Sequence, residues 1–358
     1  MKVAFISRAT LYTSPGGDTC QLVETAKNLR KNSVQVDIFL CNQPIDYSTY
    51  DLLHFFNIIR PADILKHIKL SHKPYVVSTI FVEYASTKTN KKLELLKKFI
   101  SEDGMEYIKV IARALMNGEK IISPSYICMG HKRSLKYVAK HAACLLPNSE
   151  SEYNRLSAKY AIKAAYHVVP NGIDLELVNR KYPYSAVYHN SVLCMGRIES
   201  RKNQLNLIRA LNNTKYSVFI HGKASPNAMA YFEQCKTEST TNVKIGEWLS
   251  GDVLYTAYSN AKVHILPSYF ETTGLSSLEA AAMGCNIVVT NKGDTRDYFK
   301  DYVWYCDPDS EESIKKAVDA AYNAPFNEEL RQHILKNYTW QRAAEETLSV
   351  YKNVLNIG

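Results

Sequence analysis

The segment Glu271-Thr-Thr-Gly-Leu-Ser-Ser-Leu-Glu279 sets two carboxylates on either side of a glycine. Lys262-Val-His-Ile-Leu-Pro267 before it reads as a strand, and Leu275 to Met283 carries a helical pattern. Gly274 therefore stands at the start of a helix, where its small size permits close backbone approach. The N–H groups of a first helical turn, added to the positive end of the helix dipole, form an anion site. Glu271 precedes the turn and is placed to bond sugar hydroxyls. Glu279 lies two turns into the helix among Leu278, Ala280, Ala281 and Ala282. A carboxylate there accepts hydrogen bonds from a ribose diol, or it is a structural glutamate capping a neighbouring element. The spacing is compatible with both.

A second constellation is Met195-Gly196-Arg197-Ile-Glu-Ser-Arg201-Lys202-Asn203. Again a glycine ends a strand, and three cations follow closely. Arg197 and Lys202 flank a tight connection and can both reach one diphosphate, Arg as a planar fork and Lys as a point charge. A surface basic cluster would look the same. The third feature, Gly16-Gly17, follows the first strand. It lacks the three spaced glycines of a dinucleotide fingerprint, and indicates only a tight turn near the carboxyl end of a strand, where ligands bind in open α/β sheets.

These residues need strands and helices to place them. Lys2–Ser7, Val34–Leu40, Asp51–Phe56, Pro74–Thr79, Ala142–Pro147 and Ala165–Pro170 read as strands of a first series. A helix opens after Gly16-Gly17, capped by Asp18 or Thr19. A second series holds strands at Ser191–Gly196, Tyr216–Gly222, Val243–Gly246, Lys262–Pro267 and Asn286–Thr290. Helices are expected over Asn203–Leu211, Asp252–Ser259 and Leu275–Met283. Lys120–Ser123 supports no assignment. Alternation of this kind predicts parallel sheets covered on both faces. The turn sequence Asn171-Gly-Ile-Asp174 separates the series, so the expected domains are 1–171 and 172–340. At roughly 100–200 residues per domain, 358 residues fit two.

No apolar run approaches the ~20 residues that span a bilayer. Met1 to Ser7 is too short for a secretory signal and is closed by Arg8, so the expected location is the cytoplasm. The eight cysteines are scattered without a Cys-x-x-Cys pair, which argues against a zinc site or a disulfide framework. The net charge of +9 is one-sided: residues 1–170 hold 24 Lys and Arg against 14 Asp and Glu, and the remainder hold 20 against 21. Lys88, Lys91, Lys92, Lys97 and Lys98 form one basic stretch, and His131, Lys132, Arg133, Lys136 and Lys140 another. Such a half suits an anionic partner, a membrane surface or a lipid-linked diphosphate, or is simply a solvated lysine-rich face.

Gly196-Arg197, then Lys202, then Glu-x7-Glu from Glu271 to Glu279 resemble the family-4 retaining glycosyltransferases of GT-B fold. Pro170-Asn-Gly-Ile-Asp174 resembles that family's entry into its second domain, Gly16-Gly17 its amino-terminal diphosphate loop, and Asn291-Lys-Gly-Asp294 the loop after the next strand. Tyr338-Thr-Trp-Gln-Arg-Ala-Ala-Glu345 is similar to the start of a last helix, here 341–358, which crosses back to the first domain. The resemblance implies two Rossmann-like domains with parallel sheets facing across a cleft, the first (1–171 with the helix 341–358) binding the acceptor and the second (172–340) the nucleotide sugar. It implies that Arg197 and Lys202 bind the donor diphosphate, and that Glu271 with Thr273, Gly274 and Leu275 holds the transferred sugar. Gly196 would line the same site, Glu279 would bind the ribose, and Gly16 and Gly17 would approach the diphosphate from the first domain. The donor would be a UDP-, GDP- or ADP-sugar. The acceptor would be a saccharide, expected to be lipid-linked, in surface-polysaccharide assembly such as that of lipopolysaccharide or O-antigen, with the enzyme peripheral at the inner membrane face. No metal or other cofactor is implied. The family often carries a histidine after the strand that ends here at Ser78-Thr79. This chain reads Ile80-Phe81-Val82-Glu83 instead, with Phe81 the expected occupant of that place and Glu83 a substitute polar group. His54 is expected to support packing.

Other classes fit less well. A metal-dependent GT-A enzyme needs an Asp-x-Asp pair at a strand end; Asp307-Pro-Asp309 has the spacing, but Pro308 suits a turn. A nicotinamide oxidoreductase needs the missing glycine fingerprint. A non-catalytic basic module for membrane surfaces or nucleotides remains the alternative. Nucleic acid is not the expected partner, because most of the 25 tyrosines fall within strand or helix patterns.

Overall fold

The structure, a computed structural model, describes residues 1–82, 101–117 and 123–357. Glu83, the lysines from Lys88 to Lys98, and 120–122 lie outside the described residues. The chain divides into two compact units. One comprises Met1–Phe81, the segment ending at Pro170, and the chain from Trp340; the other comprises Asn171–Thr339.

Unit 1 is built on five parallel strands, β1 (Lys2–Ser7), β2 (Gln35–Leu40), β3 (Leu52–Phe56), β4 (Tyr75–Ser78) and β5 (Cys144–Leu146), in the order β2-β1-β3-β4-β5. β3, β4 and β5 are buried along their whole length, as strands covered on both faces must be. The covering helices are α1 (Gly17–Lys31), α2 (Pro61–Ser71), α3 (Glu102–Asn117), α4 (Pro124–His141) and α5 (Glu150–Tyr160). The C-terminal helix, Trp340–Leu355, belongs to this unit and packs on α1. Its Tyr351 hydroxyl meets His54 Nδ1 at 2.6 Å, and His54 Nε2 meets Ser78 Oγ at 2.9 Å. His54 is thus a buried strut between the sheet and the last helix.

Unit 2 holds six parallel strands, β6 (Val192–Met195), β7 (Val218–His221), β8 (Val243–Gly246), β9 (Val263–Leu266), β10 (Asn286–Thr290) and β11 (Trp304–Cys306). Their order is β11-β10-β9-β6-β7-β8. The chain runs outward from β6 to β8, returns to β9 beside β6, and runs outward again to β11. β6 and β9 therefore flank a topological switch point, and ligands bind outside the carboxyl ends of strands at such points. The helices are α6 (Leu175–Val178), α7 (Gln204–Leu211), α8 (Met229–Glu238), α9 (Gly251–Asn260), α10 (Leu275–Ala282), α11 (Thr295–Phe299), α12 (Glu311–Asn323) and α13 (Glu328–Asn337). None of the described helices is long and apolar enough to cross a membrane.

Two local expectations change. Ala165–Pro170 is not a strand: it touches β5 through one bridge, Leu145 to Tyr166. Val169 N–H bonds Pro147 O, but Pro147 and Pro170 have no N–H to continue a ladder. The N-cap of α1 is Gly16, in extended conformation, whose N–H donates to Thr19 Oγ1 at 3.1 Å. Asp18 instead pairs with Arg8 at 2.6 Å. Arg8, only 7% exposed, also donates to the carbonyls of Thr10 and Ser14 and so shapes the loop before the helix.

Tyr351→Phe leaves a buried His54 nitrogen without its partner. The expected cost is about 1–3 kcal/mol, read as a lower urea midpoint at unchanged slope. A second expectation concerns pH. Burial pushes His54 down to about 3 and His67 to about 4, and burial with the Lys202 charge pushes His264 to about 3. Unfolded histidines keep an ordinary value near ~6.5. The unfolded chain therefore binds more protons in the interval, and stability falls as pH drops from about 6.5 towards 4. Equal urea midpoints at the two ends of that interval would contradict this.

Candidate functional site

β6 and β9 end side by side, and the connections that follow them are laced together. Gly196 N–H donates to His221 O at 3.1 Å. The approach of β7 depends on Gly222, where a Cβ would lie 1.9 Å from Gly196 O. Arg197 follows, half-buried, its carbonyl held by Gln204 Nε2 at 2.7 Å. Ser200–Lys202 forms a single 3-10 turn that ends at Asn203 in the left-handed region, φ +60°. Asn203 Nδ2 bonds the carbonyls of Pro267 (3.1 Å) and Pro308 (2.7 Å). Tyr269 N–H bonds Arg201 O, and Arg201 Nη1 bonds Phe270 O. Three of these bonds, from Asn203 to Pro267, from Tyr269 to Arg201 and from Arg201 to Phe270, fix the 197–203 connection against the 267–271 connection.

At their meeting point Lys202 Nζ lies 2.6 Å from Glu271 Oε2, with the two side chains 13% and 8% exposed. Ser268 Oγ donates to the same oxygen at 3.0 Å. Among the described residues both side-chain hydrogen bonds of Glu271 end on Oε2, and Oε1 carries none. Burial alone would push this carboxyl up; the charges of Lys202 and Arg201, with the bonds from Lys202 and Ser268, overcome it and hold Glu271 below the usual carboxylate range. Its backbone is equally constrained. Glu271 O accepts from Asp294 N–H at 2.8 Å, and Gly293 crosses so closely, at φ +98°, that a Cβ there would lie 2.1 Å from the same oxygen.

The rest of the motif runs directly into α10. Thr273, 2% exposed, donates its hydroxyl to Tyr298 OH (3.2 Å) and accepts from Asn171 Nδ2 (2.9 Å). Gly274 takes φ +70° and supplies no side-chain cap to the helix that starts at Leu275. Ser276 Oγ bonds Met195 O at 3.0 Å, tying the helix start to the end of β6. Glu279 is half-buried and accepts from the buried Tyr258 hydroxyl at 3.3 Å.

The geometry thus gathers Gly196, Lys202, Glu271, Thr273, Gly274 and Leu275 at one strand-end site, with Arg197 leaving the same strand and Glu279 further along α10. In unit 1, Gly16 and Gly17 cap and open α1, and neither has a positive φ. Glu83 lies outside the described residues. Phe81 does not line an open face: it is 2% exposed, in the core against Tyr160. Asp307 and Asp309 form a turn whose carboxylates pair with Lys292. Among the described residues no group of three His, Cys, Asp or Glu side chains stands together. Asn171, Asn203, Tyr298 and His264 were not singled out from sequence. Asn171 was visible as part of a turn sequence, and the others carry no local signal.

Residues 186–339 match the family model Glycosyl transferases group 1. An uncharacterized glycosyltransferase of Methanocaldococcus jannaschii is 28% identical over 173 residues, 45% of this chain and 44% of that protein. The chain therefore aligns with less than half of that relative's length. Sucrose-phosphate synthase from Thermosynechococcus elongatus superposes with TM-score 0.74 at 14% identity over 100% of both chains. HepE from Anabaena, solved in complex with UDP and glucose, superposes with TM-score 0.63 at 14% identity, covering 100% of this chain and 97% of that one. The fold is GT-B, with two Rossmann-like units, and the matches support a glycosyltransferase.

Lys202→Met strands the Glu271 carboxylate. Breaking a buried pair from one side costs about 3–5 kcal/mol, and Lys202→Met with Glu271→Gln should recover most of it. The lowered carboxyl of Glu271 contributes stability that is present above the ordinary value of 4.5 and lost as pH falls below it. Without Lys202 its carboxyl moves up, the gap to the unfolded value closes, and that acid-side loss shrinks. Urea midpoints across acidic pH for the wild type, Lys202→Met, Glu271→Gln and the double variant check both statements; additive single-variant costs would contradict the pairing.

Proposed function

We propose that the chain is a retaining, metal-independent hexosyltransferase that moves a sugar from a nucleotide donor to a saccharide hydroxyl. One observation carries this reading: a buried carboxylate with one oxygen committed to Lys202 and Ser268 and the other open, set beside an uncapped helix start at a switch point. Oε1 of Glu271 accepts hydroxyls of the transferred sugar. Lys202 has three N–H donors, so one stays on Glu271 while others turn to the donor diphosphate, joined by Arg197 and the amides at Gly274–Leu275. Glu279 binds the ribose.

The acceptor hydroxyl attacks the anomeric carbon on the face from which the nucleotide departs. The new carbon–oxygen bond forms as the bond to the diphosphate breaks, and the proton passes to a donor-phosphate oxygen. Arg197 and Lys202 stabilise the charge that develops on the leaving group, the electrostatic effect that dominates much of catalysis. HepE's complex with UDP and glucose supports a hexosyl nucleotide as donor.

For the acceptor we propose a lipid-linked saccharide at an anionic membrane surface. Unit 1 exposes Leu70, Ile108 and Ile127, beside the exposed cations Lys69, Lys109, Lys132 and Arg133. The alternative of a non-catalytic basic module is not favoured, because the family match falls on the site-bearing unit.

A thermal-shift screen of UDP-, GDP- and ADP-sugars should identify one donor that raises the melting temperature by mass action. Lys202→Ala should abolish that shift, and NMR of the product should show the anomeric configuration retained. An inverted product would sink the mechanism, and a flat screen the activity. Vesicle binding should weaken with salt, since charge attraction is screened within ~8–10 Å; salt-insensitive or absent binding points to a soluble acceptor.

A further inference from the structure

The carboxyl edge of the unit 1 sheet carries a strained turn. β4 ends at Ser78, and two residues later Ile80 takes φ +46°. A β-branched residue in the left-handed region is an outlier. Such conformations persist only where their surroundings over-determine them, and they cluster at ligand-binding positions.

The surroundings are built around one carboxylate. Glu152, on α5, is 0% exposed. Its Oε1 accepts from the Thr79 hydroxyl and from Phe81 N–H (2.8 Å), the residues on either side of Ile80. Its Oε2 accepts from Asn148 N–H at 2.9 Å. Asn148 exchanges two side-chain bonds with Gln21 of α1, at 2.8 and 3.2 Å. Thr79 N–H bonds Leu146 O, and Thr79 O accepts from Ile58 N–H. Phe81 is locked into the core against Tyr160. Thr79, Phe81, Asn148 and Gln21 are all buried, and Ile80 alone in its tripeptide keeps part of its surface.

A buried carboxylate thus clamps both flanks of the strained residue. Fold stability alone would favour glycine or asparagine at this position, since either adopts the left-handed region more readily than isoleucine. The turn also lies at the carboxyl end of a parallel strand, where open α/β sheets bind ligands.

We propose that Ile80, the partly exposed residue of the Thr79–Phe81 turn, forms part of the acceptor-binding wall of unit 1. The aliphatic side chain of Ile80 packs on the apolar C–H face of an acceptor sugar ring, and Glu152 is the positioning residue that holds it there. This rests on the glycosyl-transfer reading above.

The test separates donor chemistry from acceptor binding. A sugar nucleotide that the wild type hydrolyses without acceptor is taken from a panel of UDP-glucose, GDP-mannose and ADP-glucose. Transfer is then measured to a panel of p-nitrophenyl hexosides. Ile80→Asn should melt at or above the wild-type temperature and hydrolyse the donor at an unchanged rate. Its KM for the hexoside should rise on the order of tenfold, the scale for losing an apolar contact in a pocket. Glu152→Gln keeps one acceptor oxygen and loses the other, and should raise the same KM while sparing donor hydrolysis. If Glu152→Gln does not fold, Ile80→Asn and Ile80→Gly carry the test.

An unchanged hexoside KM in the Ile80 variants overturns the proposal. So does a parallel loss of hydrolysis and transfer, or a wild type that hydrolyses donor but uses no hexoside. A wild type that hydrolyses no sugar nucleotide overturns the glycosyltransferase reading itself, and the proposal with it.

Discussion

The buried contact between Lys202 and Glu271 is the constraint around which unit 2 is arranged. A buried ion pair is a poor way to stabilise a fold, because desolvating both charges consumes most of their attraction. This one is held by devices that serve its geometry. Asn203, in a left-handed conformation, bonds two proline carbonyls. Gly293 permits a backbone crossing that any side chain would block. Arg201 braces Phe270 O and pairs with Glu199 at 2.8 Å, and its charge adds to that of Lys202 at Glu271. The field of the pair spreads further: the Lys202 charge adds to burial in keeping His264 neutral beneath α10.

Topology explains why this pair can exist at all. Lys202 and Glu271 are 69 residues apart in sequence, and three strands intervene. They meet because β9 returns to pair with β6, so that two strand-to-helix connections leave the same edge of the sheet together. Unit 1 solves a similar problem differently. Its sheet order is β2-β1-β3-β4-β5, and its carboxyl edge spreads the task over separate groups, one of them the Arg8–Asp18 ion pair at 2.6 Å. Arg8 organises the loop before α1, Glu152 the loop after β4, and His54 ties the sheet to the C-terminal helix.

The sequence made the parallel α/β architecture legible because the buried strands are short apolar runs bounded by glycine, proline and polar residues. β10 falls where its pattern predicts, Asn286–Thr290. Residue types pointed to Glu271, Lys202 and Gly274 but left a surface basic cluster open, which the burial of the Lys202–Glu271 pair removes. What was hidden is what depends on distant partners. Asn203 looks like the first residue of a helix, and only Pro308 and Pro267 reveal it as a staple. Asn171 looks like a turn residue until Thr273 and Tyr298 close on it. Phe81 was expected, from the resemblance alone, where the family often carries a histidine; the structure instead buries it against Tyr160, after Ile80 in the left-handed region.

The two oxygens of Glu271 give the site an asymmetry that composition does not show. Oε2 is saturated by an ammonium and a hydroxyl, which keeps the carboxylate ionised despite burial. Oε1 is therefore a strong acceptor with no partner of its own among the described residues. An ionised acceptor makes hydrogen bonds roughly twice as strong as a neutral one, and it accepts only donors, so hydroxyls suit it and phosphate oxygens do not. The uncapped start of α10, a few residues away, has the opposite preference, because amides and dipole favour anions. On the proposed reading, a ligand with hydroxyls at one end and phosphate at the other would be oriented by these two groups before any base or acceptor is recognised. Lys202, bonded to the first and carrying donors for the second, links the two ends.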